Sequence, residues 1–503
     1  MKAAQTYWKW LAAVLLPKHR LALIIGVGLV VGFYLILASR SLLHQPLTFD
    51  EGWDLQAARN LALHGVYASQ GTMWGGVNKI FDPYVSTGPS VLFPIALVFK
   101  LFGVGVIQAR LVIMAFYVAV MVLVAWYVYM HTKSLLAIIA AASILLILAL
   151  PITFRLDVLG EFPAIAFALA SFIAWEKRRY GLAGMFGGLT VLAKAIMLFL
   201  PLAGSLILFI QVCRHWRQIR TALPPFIRWC IGVAIPLGGI EIFKYLQLGG
   251  LHAYVHNWRE YIQFFKTTGS GLGTNGTAPS IHQKYDLLGS TIQLGLVFMI
   301  LLTVAVVVAL YIRRKNLLSS LTAQAYIWLS VVFYLLWWFL IANGGFARYV
   351  VPVSGMLIAA TFATAFGKPV FHRRTTLWRS MHALAALTVA IVVLLGIYQQ
   401  HFSFSPNYQR LSLQDQQQVA RRVAASKPTA LSHAGFWQNP EIMFMGGLHS
   451  QEQGLRGDSS FQLLLSPTMK ELVPADYAKA RQECYKIYFQ QAGYTYCLAM
   501  KNS

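Results

Sequence analysis

The chain has 503 residues, 57% of them hydrophobic and only 12% charged, where a soluble domain carries about 25% charged residues. This excludes a soluble globular protein and points to a polytopic membrane protein with few, accountable polar groups. The formal net charge of +24 does not imply a nucleic-acid partner. The basic residues fall in short clusters between apolar runs: Lys18-His19-Arg20, Lys177-Arg178-Arg179, Arg214 to Arg220, Arg313-Arg314-Lys315 and Arg373-Arg374. That is the pattern of cytoplasmic loops under the positive-inside rule.

Lys2, Lys9, Lys18 and Arg20 hold the N-terminus in the cytoplasm, and Leu21 to Leu37 crosses outward as a retained helix. Residues 38–108 then form a first external loop, which opens with Thr48-Phe49-Asp50-Glu51-Gly52-Trp53-Asp54. Thr48 with Glu51 three residues on reads as a capping box, and Gly65 suits the left-handed residue after a helix, so a helix is predicted up to about Leu63. Asp50 lies in its first turn, where the helix dipole favours an anion. Such carboxylates also cap helices for purely structural reasons, and local spacing alone does not separate the two roles. Thr87-Gly88-Pro89 leads into the apolar run Ser90 to Gly103, which is short of the ~20 residues of a span and reads as an interfacial helix.

Further spans are expected at Leu111–Met130, Leu135–Pro151, Phe162–Trp175, Gly181–Ala193, Ile196–Val212 and 226–247. Glu241 and Lys244 near the outer end of the last are spaced for an ion pair. Residues 248–285 form a second external loop with a Gly-rich, lid-like stretch at Gly269 to Gly276; no GK[ST] follows it, so it is not a phosphate loop. Spans at Leu287–Tyr311, Ala323–Ile341, Val350–Phe366 and Met381–Tyr398 complete a total of about eleven, with every basic cluster on one side.

Residues 1–400 thus form a transmembrane region and 401–503 a polar C-terminal domain outside the membrane. The tail holds seven of the 17 carboxylates and reads as mixed α/β, with a helix at Ser412–Ala425 and strands at Lys486–Phe489 and Tyr494–Leu498. Cys484 and Cys497 are expected to pair in an oxidising compartment; Cys213 and Cys230 flank a cytoplasmic loop and stay reduced.

The topology gathers isolated charges of both signs at the outer membrane edge: Asp50, Glu51, Asp82, Arg155, Asp157, Glu161, Lys194 and Arg348. Singly, each is explained by snorkelling or capping; together they suggest a site.

Several motifs across residues 20–365 resemble the polyprenyl-phosphate-dependent glycosyltransferases of the GT-C fold, the group of protein mannosyltransferases and lipid A aminoarabinose transferases. Asp50-Glu51-Gly52-Trp53-Asp54, followed by Ala57-Ala58-Arg59-Asn60-Leu61 and His64-Gly65-Val66-Tyr67, looks like that family's Asp-Glu helix. Thr87-Gly88-Pro89-Ser90 is similar to its proline-containing interfacial helix, although many relatives have a second proline where Ser90 stands. Arg110-Leu111 opens the next span as in relatives. Asp157 resembles the second acidic position, Leu192-Ala193-Lys194 the basic position, and Arg348-Tyr349-Val350-Val351-Pro352 the late Arg-Tyr-x-x-Pro element.

The resemblance implies a GT-C-like membrane enzyme of the bacterial inner membrane. It would move a sugar from a polyprenyl-phosphate donor to an acceptor hydroxyl on a glycan, glycolipid or protein. A lipid phosphate leaves without a proton but needs cations, which Lys194, Arg348 and Arg155, with Tyr349, are expected to supply. The acceptor hydroxyl needs a base, with Asp50 the first choice among Asp50, Glu51 and Asp157, and one base without a nucleophile implies inversion. Asp82, Glu161 and Tyr67 are expected to shape the acceptor side or the loop. Asp157 and Glu161 alone make a thin metal site, so a divalent cation is left open. Two other classes remain: a transporter or flippase, which predicts inverted repeats and midplane charges that the sequence does not show, and a polymerase or ligase of lipid-linked glycans.

Overall fold

The computed structural model describes residues 18–69, 79–146, 156–267, 280, 282–283, 317–342, 347–365, 412–426, 431–432, 439–447, 460–467, 470 and 474–500. The protein is mostly helical. Lys18–His44 (α1) is followed by Phe49–His64 (α2), whose ends are set by the residues the sequence singles out. Thr48 Oγ1 accepts from the Glu51 amide and Glu51 Oε2 accepts from the Thr48 amide, at 3.3 and 2.9 Å. Gly65 ends the helix with φ 70° and its N–H on Leu61 O. A two-stranded ribbon, Ala68–Ser69 (β1) with Lys79–Ile80 (β2), precedes Pro89–Phe102 (α3). Pro at its first position is preorganised for a helix, and at 14 residues it is too short to span.

Val106–Thr132 (α4) is the central post. Ala109, Ile113, Tyr117, Val120, Val124 and Val128 form a buried stripe at helical spacing. Against α4 pack α1, Leu135–Ile144 (α5), Glu161–Glu176 (α6) and Val351–Ala365 (α12). Tyr180–Ala193 (α7) lies against α6 and against Ile219–Leu248 (α9), with Gly184 and Gly188 of α7 facing the α9 backbone closely enough that a side chain would collide. Phe199–Arg214 (α8), Leu251–Thr267 (α10) and Leu317–Leu336 (α11) complete the bundle.

Among the described residues, four helical stretches are long and apolar enough to cross a membrane: Ile24–His44, Val106–Thr132, Ala195–Arg214 and Trp216–Leu248. Large apolar side chains on them stay exposed, including Leu29, Ile36, Phe209 and Ile235, as a lipid-facing surface requires. The expected spans at 287–311 and 381–398 and the Gly269–Gly276 stretch lie outside the described residues. Glu241 and Lys244 do not form the expected ion pair. Glu241 Oε2 instead accepts from the Tyr254 hydroxyl (2.7 Å) and Trp258 Nε1 (3.0 Å) of α10, and the Lys244 ammonium sits 4.3 Å from the Trp258 ring centroid. The aromatic face of α10 offers both charges desolvated partners that a neighbour on the same helix does not.

Beyond residue 400, Leu413–Ala425 (α13) has the capping box of Ser412 and Asp415, and Pro440–Gly446 (α14) and Pro474–Glu483 (α15) flank a four-stranded sheet. Its strands are Leu431–Ser432 (β3), Ser460–Leu465 (β4), Cys484–Gln491 (β5) and Tyr494–Met500 (β6), in the order β3-β4-β6-β5. The β3–β4 pair is parallel and the other pairs antiparallel. Cys484 and Cys497 are disulfide-bonded across β5 and β6. This region is seated on the bundle. Leu413 and Phe444 join the main apolar core, and Gln416 brackets Leu47 by accepting from its amide (2.7 Å) and donating to its carbonyl (3.0 Å).

Candidate active site

Three backbone segments converge at one end of the bundle: the start of α2, the loop from Asp82 to Gly88, and the segment from Leu156 into α6. Arg110, fully buried near the start of α4, ties the α1–α2 linker to the start of α2. It donates to Gln45 O (2.6 Å), Pro46 O (2.9 Å) and both carboxylate oxygens of Glu51 (3.2–3.3 Å). Glu51 Oε1 also accepts from the Val158 amide at 3.1 Å. Glu51 therefore lies inside a scaffold in which each charge has several charge-assisted partners. Beside it, Asp157 accepts from Gln45 Nε2 at 2.6 Å. Burial, then the neighbouring Glu51 charge, holds the Asp157 carboxyl well above the usual range, opposed by Arg110 and the Gln45 bond.

Lys194 occupies a break. α7 ends at Ala193, Lys194 is extended (φ −151°, ψ 115°), and the chain resumes as a 3₁₀ turn, Ala195–Leu198. Two loops fit over this break because they carry glycine there. A Cβ on Gly88 would strike Leu192 O, and one on Gly160 would strike Ala193 O. The Gly88 amide donates to Ala193 O (3.1 Å), and Ser90, the departure from the family pattern, donates its hydroxyl to Leu189 O (3.0 Å). Lys194 Nζ lies 3.1 Å from Glu161 Oε1, with both side chains buried. The approach is close enough for an ion pair but is not aligned as a hydrogen bond. Lys194 Nζ and both Glu161 oxygens are buried with no hydrogen-bond partner.

The loop between these centres is built on Asp54 and Asp82. Asp54, buried one turn beyond Asp50, accepts from the Ser86 and Thr87 amides at 2.9 and 3.3 Å. Thr87 Oγ1 donates to Val158 O, and Thr87 O accepts from the Tyr67 hydroxyl, both at 3.3 Å. Asp82 accepts from Ser69 Oγ (2.5 Å), the Tyr84 amide (3.0 Å) and Trp53 Nε1 (3.2 Å), so its acceptor capacity is spent holding the loop. Its burial raises its pKa, with those hydrogen bonds opposing.

Of the residues expected in the site, Asp50, Glu51, Asp82, Asp157, Glu161, Lys194 and Tyr67 fall in this region. Asp50 is partly solvent-accessible where the other acids are buried. Tyr349 is buried, its carbonyl accepting from the Tyr334 hydroxyl at 2.6 Å. The backbone of Arg348 lies in the 3₁₀ turn Ala347–Val350, while its side chain and the whole of Arg155 lie outside the described residues. Among the described residues no group of three or more potential metal ligands occurs. Of the Asp157–Glu161 pair, Glu161 has both oxygens buried without a hydrogen bond, and it faces Lys194.

Comparison with protein-family models and with curated proteins finds no match. Solved structures match along nearly the whole chain, two of them of the same protein. One is ArnT from Cupriavidus metallidurans in the apo state, 12% identical, covering 94% of this chain and 97% of that one with a TM-score of 0.57. The chain has the GT-C fold. The other is ArnT of the same organism bound to undecaprenyl phosphate, also 12% identical, covering 98% of each chain with a TM-score of 0.52. At this identity the likeness establishes the fold, and the roles of individual residues rest on the geometry above.

Two residues of the site were legible only in part. Arg110 was marked as the opening of a span but not as the partner of Glu51, because 59 residues separate them in sequence. Asp54 was noted in the acidic cluster without a role; the available signal was its (i, i+4) spacing from Asp50, which places both on one helix face.

Proposed function

We propose that the protein is an inverting glycosyltransferase that moves a sugar from a polyprenyl-phosphate donor to an acceptor hydroxyl on a glycan, glycolipid or protein, at the outer face of the inner membrane. The observation that carries this is the buried Lys194 ammonium and Glu161 carboxylate left without hydrogen bonds beside a cluster of acids. A buried ion pair without hydrogen bonds costs several kcal/mol, which a ligand that completes it can offset. The GT-C fold, seen elsewhere with undecaprenyl phosphate bound, supports a lipid phosphate as that ligand.

In this reading Asp50 is the base. Glu51 is engaged by Arg110, burial raises the pKa of Asp157, and Asp50 is the partly solvent-accessible acid of α2. The acceptor oxygen attacks the anomeric carbon as its proton passes to Asp50. The bond from that carbon to the phosphate oxygen breaks with its electron pair, and the new phosphate charge rests against Lys194 and, in this proposal, Arg348, Arg155 and Tyr349. Glu161 orients the acceptor or the sugar through its unbonded oxygens. Asp82 and Tyr67 hold the loop. In this reading the N-terminus lies in the cytoplasm and residues 401–503 form an extracytoplasmic domain.

The test is transfer or release of sugar from a panel of undecaprenyl-phosphate sugars by purified protein. Asp50→Asn is expected to reduce the rate by about 10²–10⁴-fold with the fold intact. No turnover of any lipid-phosphate sugar would reject the function, and a wild-type rate in Asp50→Asn would reject the base. Gly75→Cys and Ser450→Cys are expected to be labelled from outside the cell, and Arg178→Cys is not.

A further inference from the structure

We propose that Asp54 is a positioning residue of this site, setting the spacing between Asp50 and Lys194 and tuning the potential that a lipid phosphate meets there. The proposal rests on the glycosyltransferase reading and adds a residue to it.

The geometry is a continuous chain of contacts. Asp54 lies one turn from Asp50 on α2 and is 1% exposed. Its Oδ1 accepts from the Ser86 and Thr87 amides, and its Oδ2 accepts from Ser86 Oγ at 3.4 Å. The next residue, Gly88, donates its amide to Ala193 O, immediately before Lys194. Thr87 also reaches Val158 O, whose own amide is bound by Glu51. Asp54 is thus, beside Trp53 on Asp82, a link by which α2 grips the loop seated on the Lys194 break. A carboxyl group accepts these amides in either protonation state, because Oδ1 keeps its lone pairs.

The charge of Asp54 is variable in the physiological range. Burial raises its pKa to about 7, the Thr87 hydrogen bonds and the charge of Lys194 oppose this, and the charge of Asp50 adds to it. The groups facing Asp54 are Asp50 from its own helix, Ser86 and Thr87 from the loop, Tyr67 beyond them, and Lys194 from the end of α7. Protonated, Asp54 leaves the positive potential of Lys194 undiminished. Ionised, it offsets that potential and opposes an incoming phosphate. Donor-side affinity therefore falls as pH rises through about 7.

The experiment measures undecaprenyl phosphate affinity at pH 6 and pH 8 for the wild type, Asp54→Asn and Asp54→Ala. Asn keeps a carbonyl oxygen for both amides and cannot ionise; Ala releases the loop. The titration of the ligand itself cancels in the ratio of variant to wild type. Asp54→Asn is expected to match the wild type within a few-fold at pH 6 and to bind on the order of tenfold tighter than it at pH 8, the effect of a unit charge about 10 Å away at an effective dielectric near 20. Asp54→Ala is expected to bind weakly at both. Asp54→Asn following the pH course of the wild type would overturn the proposal, as would Asp54→Ala binding like Asp54→Asn. If Asp54→Ala does not fold, the Asn comparison decides alone. Absence of binding by the wild type at either pH would instead reject the lipid-phosphate reading itself, and this inference with it.

Discussion

Among the described residues, two buried ion pairs lie at the same end of the bundle, and they are opposites. Arg110 and Glu51 are both fully buried, and each is surrounded by further donors and acceptors: Gln45 O and Pro46 O for the guanidinium, the Thr48 and Val158 amides for the carboxylate. Lys194 and Glu161 are almost as deeply buried, yet neither makes a hydrogen bond. Desolvation costs both pairs several kcal/mol per ion. In the first, the loss is offset within the chain, so that pair fixes where α1, α2 and α4 meet. In the second it is not, and in the proposed function a ligand completes that pair from outside. Burial and charge alone do not identify a site; the unspent hydrogen-bonding capacity does.

The largest expected effect breaks the first pair. Arg110→Ala or Glu51→Gln leaves the partner buried without its counter-charge and should destabilise the fold by about 3–5 kcal/mol, seen as a lowered unfolding midpoint in detergent. Glu51→Gln keeps an acceptor for the capping box, so a loss of this size would come from Arg110 and not from the helix end.

Next is Glu441, a buried acid with no cation among its contacts, which accepts from the Tyr494 hydroxyl at 3.1 Å. Burial raises its pKa from 4.5 to about 7. Below pH 4.5 both folded and unfolded chains hold this proton and its stabilising contribution is complete. The contribution shrinks as pH rises and is lost above about 7, a change of roughly 2–3 kcal/mol. Unfolding midpoints between pH 4.5 and 8 should show a component that Glu441→Gln removes.

Lys194→Met should separate the two pairs. Glu161 then loses its counter-charge, so stability is expected to fall, but by less than in Arg110→Ala because no hydrogen bond is lost. Undecaprenyl phosphate affinity is expected to be lower by about 10- to 100-fold, the worth of a hydrogen bond to a charged group. A variant that unfolds as Arg110→Ala does would erase the distinction. The smallest effect on binding is Glu161→Gln, which removes the charge opposing the phosphate and should tighten binding of the same lipid roughly fivefold.

Local chemistry made much of this readable in the sequence. Thr48, Glu51 and Gly65 state both ends of α2, Pro89 and Gly103 those of α3, and Ser412 the start of α13, because caps act within four residues of themselves. The disulfide and strands β5 and β6 were also readable, being close in sequence. What was not readable depends on distant partners. Nothing near Glu51 announces Arg110, nothing near Leu47 announces Gln416, and the short β3 and longer β4 gain their meaning from pairing with each other and with β6. Glu241 and Lys244 show the converse error: a correct local spacing was overruled by the aromatic surface of α10.

The glycine at position 52 has a consequence for how this protein can be recombined. A Cβ there would collide with the backbone of Pro440 and Glu441, while Gln56 Nε2 reaches Pro440 O at 3.5 Å on the same face of α2. The bare backbone at Gly52 therefore acts as an address by which the bundle accepts its own C-terminal region. A chimera with a foreign tail will seat only where that tail brings α14 equally close. A tail transplanted from this protein will need a host with glycine at the matching turn. A mismatch on either side would displace α2, and with it the carboxylate at Asp50, without altering any residue of the site.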